Sequence, residues 1–135
     1  MPVFPSEEWM DEFCVRLAGH PEAGEVATAL DGVYRFVIEP GGPLAERHTY
    51  NVAITPSGDG ADVAVVQDGE PRLTMTTDYR RWQQLVRGEL DVAMAVMLRR
   101  LKISGDLSRL MGNVSSARPL VDSLGGVETT WLEDV

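Results

Sequence analysis

Residues 88–106 read Gly88-Glu89-Leu90-Asp91-Val92-Ala93-Met94-Ala95-Val96-Met97-Leu98-Arg99-Arg100-Leu101-Lys102-Ile103-Ser104-Gly105-Asp106. Asp91 suits a helix N-cap, where its carboxylate accepts orphan backbone N–H bonds and meets the positive end of the dipole. Val92 through Leu98 are apolar without a break, so a helix over them leaves no face for water. Such a helix needs cover from protein, a partner, lipid or a ligand. Arg99 and Arg100 close it with the charge a helix C-terminus favours. Leu101–Ser104 then reads as a short strand. Gly105-Asp106 stops that strand and offers the next N-cap, for a helix over Leu107–Met111.

Upstream, Thr77 or Asp78 caps a helix in which Tyr79, Trp82, Leu85 and Val86 face one way, ending at Gly88. Before it the apolar period is two. Tyr34, Phe36 and Ile38 share a face in Val33–Glu39, and Tyr50, Val52 and Ile54 share one in His48–Thr55. Ala61–Gln67 contributes Val63 and Val65, and Arg72–Thr77 contributes Leu73 and Met75. Pro56-Ser57-Gly58-Asp59-Gly60 and Asp68-Gly69 are turn chemistry between them. Four short strands with tight connections predict an antiparallel meander with one buried face.

The N-terminal part is helical. Ser6 caps a helix with Glu7 and Glu8 in its first turn and Trp9, Met10, Phe13 and Leu17 on one face. Gly19-His20-Pro21 stops it, and a shorter helix follows over Glu22–Ala29 with Val26, Ala29 and Leu30 inward. Downstream, Pro119 starts a last helix that Gly125-Gly126 ends. The tail 127–135 carries a lone Trp131. The layout predicts an α+β domain over 1–126: a five-stranded, mainly antiparallel sheet covered on one face by helices.

Composition bounds the function. A chain of 135 residues, 44% hydrophobic and 24% charged, is one globular domain. Its twelve basic and 21 acidic residues give a net charge of −9, which repels phosphate backbones and anionic membranes at long range and argues against nucleic acid and against a polybasic membrane anchor. The apolar run at Val92–Leu101 is too short to span a bilayer, which needs about 20 residues. A cytoplasmic, soluble protein is expected. The single Cys14 leaves no intramolecular disulfide and no multi-cysteine metal site.

Catalytic constellations are absent. His20 and His48 belong to no metal-ligand spacing, and no P-loop, Gly-x-Ser-x-Gly or Gly-x-Gly-x-x-Gly occurs. No catalytic residue, metal or cofactor is therefore expected, and His48 as the base of an enzyme is the weakest of the readings. Arg80-Arg81 and Arg99-Arg100 read as solvated helix faces, with the sharper alternative of an arginine holding the anionic head of a ligand. Met75, Met94, Met97 and Met111 can be placed around one interior, where methionine's flexible thioether lines adaptable cavities.

Taken together, residues 7–113 resemble the sterol carrier protein 2 (SCP-2) family of lipid-binding domains. The resemblance rests on Thr77-Asp78-Tyr79-Arg80-Arg81-Trp82-Gln83-Gln84-Leu85-Val86-Arg87-Gly88-Glu89-Leu90-Asp91, then the apolar helix, then Leu101-Lys102-Ile103-Ser104-Gly105-Asp106. It implies a hydrophobic tunnel between sheet and helices and non-catalytic binding or transfer of a sterol, fatty acid, fatty acyl-CoA or phospholipid. It also implies ligand contacts along Val92–Leu98, with Trp82 and Leu85 before them and Ile103 after. The alternative is an accessory or scaffold protein that uses its apolar surface for a homodimer or a biosynthetic enzyme. The last residues read Trp-Leu-Glu-Asp-Val and not a Ser-Lys-Leu-like tripeptide, so a peroxisomal address is not expected.

Overall fold

The computed structural model describes residues 1–90, 92–105 and 114–135. After a two-residue strand β1 (Val3–Phe4), helix α1 runs Glu7–Ala18. Ser6 caps it, its hydroxyl accepting from the Trp9 N–H at 3.0 Å, and Glu7 and Glu8 occupy the first turn. Trp9, Met10, Phe13, Cys14 and Leu17 form its buried stripe. Helix α2 (Ala23–Leu30) follows, one residue later than the sequence suggests, with Val26, Ala27 and Leu30 buried and Ala29 half-buried. Gly24 lets α2 lie on the turn after residue 57, since a Cβ there would sit 2.2 Å from the Asp59 carbonyl oxygen.

The sheet comprises β2 (Gly32–Glu39), β3 (His48–Ser57), β4 (Gly60–Val66), β5 (Pro71–Asp78) and β6 (Lys102–Gly105), in the order β4-β3-β2-β5-β6. The strands and their faces follow the period-two pattern, but the fourth does not continue a meander. β5 pairs with β2, in parallel, and β4 is left at an edge. Alternation fixes which side chains are buried and says nothing about which strand lies beside which. A parallel pair needs a long connection, and here the β3–β4 hairpin supplies it. The Asp68-Gly69 turn that suggests a tight hairpin instead belongs to the crossing: Gly69 (φ 143°) passes over Val33, where a Cβ would lie 3.0 Å from Cγ2.

Register places the apolar residues in two rows across the sheet. Val65, Val52, Tyr34 and Leu73 form one, ending at Gly105 of β6. Tyr50, Phe36, Met75 and Ile103 form the other. Gly105 (φ 110°) is required at its place, because a Cβ would stand 2.1 Å from the Arg72 carbonyl oxygen.

Helix α3 (Tyr79–Val86) begins directly after β5. Its N-cap is Asp78, which accepts from the Arg81 N–H at 2.9 Å and pairs with the Arg81 guanidinium at 2.6 Å. Tyr79, Trp82, Leu85 and Val86 are buried, and the Trp82 indole donates to the Val37 carbonyl at 3.0 Å. Gly88 (φ 74°) follows in the left-handed region that ends many helices.

Helix α4 covers only Val92–Met97. Ala95 and the following Leu101 are buried, each 1% exposed, whereas Met94, Met97 and Leu98 are 55, 77 and 53% exposed. The expectation of a helix covered all round is therefore corrected. Arg99 adopts a left-handed φ of 59° and turns the chain back, so that the Arg100 N–H reaches the Ala95 carbonyl at 2.8 Å. Ala95 thus meets the core while Met94, Met97 and Leu98 face water.

Helix α5 (Val114–Gly126) contains Pro119 in its interior, so it starts well before the proline expected to open it. The expected Asp91 cap and the 107–111 helix lie outside the described residues. The tail is docked on the body: β7 (Thr130–Trp131) pairs in parallel with β1, and a 3₁₀ turn covers Leu132–Asp134. The Trp9 indole donates to Thr129 Oγ1 at 2.9 Å, and Trp131 packs edge-on to Phe4 and Tyr79. No described helix is long and apolar enough to cross a membrane.

Candidate functional site

Between the apolar face of the sheet and the helices lies a largely enclosed cavity of about 100 Å³. Among the described residues, its sheet wall is Tyr34 and Phe36 of β2, Val52 and Ile54 of β3, Leu73 and Met75 of β5, and Ile103 of β6. Its helix wall is Phe13 of α1, Trp82 and Leu85 of α3, and Leu120, Val121 and Leu124 of α5. Arg35 borders it too, but strand alternation sends its side chain to the opposite face, where Nε donates to Asn51 Oδ1 at 2.9 Å. The two polar handles in the wall are satisfied. Tyr34 donates its hydroxyl to the Leu30 carbonyl at 2.6 Å, and Trp82 donates to Val37. Phe13, Phe36 and Trp82 brace one another edge to face, with centroids 6.0 and 5.5 Å apart. Such a lining offers a guest dispersion and exclusion from water.

Of the residues picked out from the sequence, Met75, Trp82, Leu85 and Ile103 line this cavity. Met94, Met97 and Leu98 do not: they stand on the outer face of α4, exposed. Met111 and the Val92 side chain lie outside the described residues. Apart from Met75 and Ile103, the sheet side of the cavity is not marked as a site by the sequence, although its signal is present. Tyr34, Phe36, Val52, Ile54 and Leu73 are the inward positions of the period-two strands, and a wall of a cavity has the same pattern as a wall of a core.

A second, open hollow of about 470 Å³ adjoins the first. It lies where the end of α3 (Val86, Arg87, Gly88) meets Asp122 and Gly125 of α5 and Thr129 and Trp131 of the tail. Leu85 and Val121 border both hollows. The Arg87 guanidinium sits over the Trp131 ring, 5.1 Å from its centroid, in cation–π range.

Reactive groups are placed elsewhere and are occupied. His48 Nδ1 lies 3.0 Å from the Tyr50 hydroxyl, whose pKa is raised by burial and, less, by the charge of Glu7. His20 Nδ1 accepts from the Glu22 N–H and so closes the loop before α2. Arg80 and Arg81 are engaged by the carboxylates of Glu133 and Asp78. Cys14 is buried, its thiol pushed up to about 12 first by burial and then by Asp11. Among the described residues no group of three or more His, Cys, Asp or Glu could hold a metal ion.

The crystal structure of sterol carrier protein 2 superposes with a TM-score of 0.72 at 19% identity, covering 91% of this chain and 98% of that one. A conserved hypothetical protein of Thermus thermophilus, described as possibly a sterol carrier protein, superposes with 0.68 at 20% identity over 93% of this chain and 90% of its own. Palmitated sterol carrier protein 2-like 2 of Aedes aegypti gives 0.55 at 15% identity, over 84% and 92%. These likenesses share the fold: a five-stranded, mostly antiparallel sheet with helices. No curated protein matches the chain in sequence. The profile of the SCP-2 sterol transfer family matches residues 11–117, from the second turn of α1 into α5, and the chain therefore belongs to that family.

Proposed function

We propose that this protein binds a single aliphatic or sterol-like ligand in the cavity between sheet and helices and carries it through water without chemical change. The observation that supports this most directly is the cavity itself, whose lining converges from four strands and three helices and, among the described residues, offers no unpaired polar group. Family membership supports lipid binding or transfer in general terms, and the Aedes aegypti neighbour in fold is described as palmitated.

Size makes the proposal specific. A cavity of about 100 Å³ is smaller than the ~150 Å³ hole that admits benzene. A long chain therefore enters only if the side chains that line the cavity give way. Leu85 and Val121 border both the cavity and the open hollow beside it, which supports that pair as the place of entry. At roughly 0.8 kcal/mol per buried methylene, about ten methylenes supply about 8 kcal/mol, the micromolar scale before the costs of association are subtracted, so a longer chain binds better than a short one. Native mass spectrometry of freshly purified protein, followed by displacement of a fluorescent fatty acid, tests the reading. A bound amphiphile and saturable displacement are expected. Failure of sterols, fatty acids and acyl-CoAs alike to displace the probe, with no co-purified lipid, would overturn it.

A further inference from the structure

Met94, Met97 and Leu98 stand at i, i+3 and i+4, so they share one face of α4 and its following turn, and all three are exposed. The other large exposed apolar residues among those described, Met1, Val15, Val121 and Val135, are scattered singly. Directly beyond the apolar trio come Arg99, Arg100 and Lys102, all exposed and without an ion-pair partner among the described residues. The turn that carries them is fastened. The Leu98 N–H bonds the Met94 carbonyl at 2.9 Å, the Arg100 N–H bonds the Ala95 carbonyl, and Thr77 Oγ1 donates to the Arg100 carbonyl at 2.8 Å. Arg99 holds a left-handed backbone conformation that a glycine or asparagine would adopt more cheaply.

We propose that this corner between α4 and β6 is a docking surface for an anionic lipid bilayer, with Met94, Met97 and Leu98 entering the interface and Arg99, Arg100 and Lys102 meeting the lipid phosphates. Apolar side chains beside exposed cations are the pattern that interfacial binding requires. The net charge of −9 opposes approach from afar, but at physiological salt the Debye length is about 8 Å, so at contact the local cations dominate. A second protein copy is a poorer occupant, because three cations meeting their own duplicates across a two-fold axis would repel. The surface is distinct from the cavity, and its use does not depend on which ligand the cavity takes.

Flotation of the intact protein with vesicles of phosphatidylcholine alone, or of phosphatidylcholine containing phosphatidylglycerol, tests the proposal. Binding to the anionic vesicles, weakening with added salt, is expected. The triple variant Arg99→Ala/Arg100→Ala/Lys102→Ala should lower partitioning by about a hundredfold, at about fivefold per cation. Met97→Glu/Leu98→Glu should lower it at least as far. Both variants should keep the wild-type melting temperature and the wild-type affinity for a soluble fatty-acid probe, because the altered side chains are exposed and outside the cavity. That probe assay also separates failure here from failure of the carrier reading. No binding to anionic vesicles, equal binding to neutral ones, or unchanged binding by the variants would overturn the proposal. So would a concentration-dependent dimer that Met97→Glu dissociates while vesicle binding is absent.

Discussion

Leu85 and Val121 belong at once to the wall of the enclosed cavity and to the wall of the open hollow beside it. One is buried at 2% and the other is 40% exposed. If ligands pass here, a Val121→Trp variant should exchange a fluorescent fatty acid about tenfold more slowly while its equilibrium affinity changes little. Stopped-flow release measures this. Unaltered release rates in a folded variant would move the entrance elsewhere.

Filling the cavity and altering the α4 surface should have different consequences for ligand binding. Met75→Trp occupies space that a guest would use. Excluding even two methylenes at roughly 0.8 kcal/mol each weakens binding by more than about tenfold. Met97→Glu changes an exposed side chain away from the cavity, so soluble-probe affinity should stay within about twofold, and stability within about 0.5 kcal/mol. Titration of both variants with the same probe, alongside thermal melts, gives the comparison. Equal losses in the two would contradict the placement of the site.

Glu133 ties the tail to α3. Its carboxylate accepts from the Tyr79 hydroxyl at 3.1 Å, from Gln83 Nε2 at 2.6 Å, and from Arg80. Burial by itself would raise its pKa, but the three donors outweigh it and hold the group below its ordinary 4.5. A depressed folded-state pKa means stability that is complete above about pH 4.5 and lost as pH falls through the lower folded value. Glu133→Gln should cost about 1 kcal/mol at neutral pH, a modest figure because the group is partly solvated. That deficit should shrink in acid. A deficit independent of pH would show that shape, and not charge, holds the tail.

Cys14 should be chemically silent in the native state. Burial, helped by the Asp11 charge, pushes its thiol up to about 12, so in mildly alkaline buffer almost no thiolate exists to attack a reagent. A thiol-reactive chromophore should label it only after denaturant is added. Labelling of the folded protein at the rate of a free thiol would mean that α1 opens far more readily than its buried stripe implies.

The legible parts of the chain are those governed by local periodicity. The Ser6 cap, the Trp9–Leu17 stripe, the Asp78 cap and the alternating faces of β2, β3 and β5 all depend on neighbours in sequence. What escapes depends on the third dimension. The parallel pairing of β2 with β5 leaves no mark in either strand, since both alternate as an antiparallel strand would. An unbroken apolar run at Val92–Leu98 looks buried on any helical wheel, yet Met94, Met97 and Leu98 stand exposed around the buried Ala95. For the same reason, composition marks Met75 and Met97 alike, and only the sheet register puts the first in the cavity wall. The tail looks featureless in sequence because Trp131 and Glu133 find their partners far away along the chain, on β1 and α3.

The pairing of β2 with β5 also sets an order of assembly. β2, β3 and β4 are joined to their neighbours by short hairpin-like excursions and can zip locally, whereas the β2–β5 seam closes only after that whole excursion has been made. The seam is thus the pairing of greatest sequence separation in the five-stranded sheet, and α3 follows directly from it, placing Trp82 on Val37. Native-state hydrogen exchange should find the β5–α3 half opening at lower free energy than the β2–β3–β4 half. The cavity straddles that boundary, so a partial opening of the kind that ordinary folding thermodynamics allows would expose its interior without dismantling the hairpins on the other side.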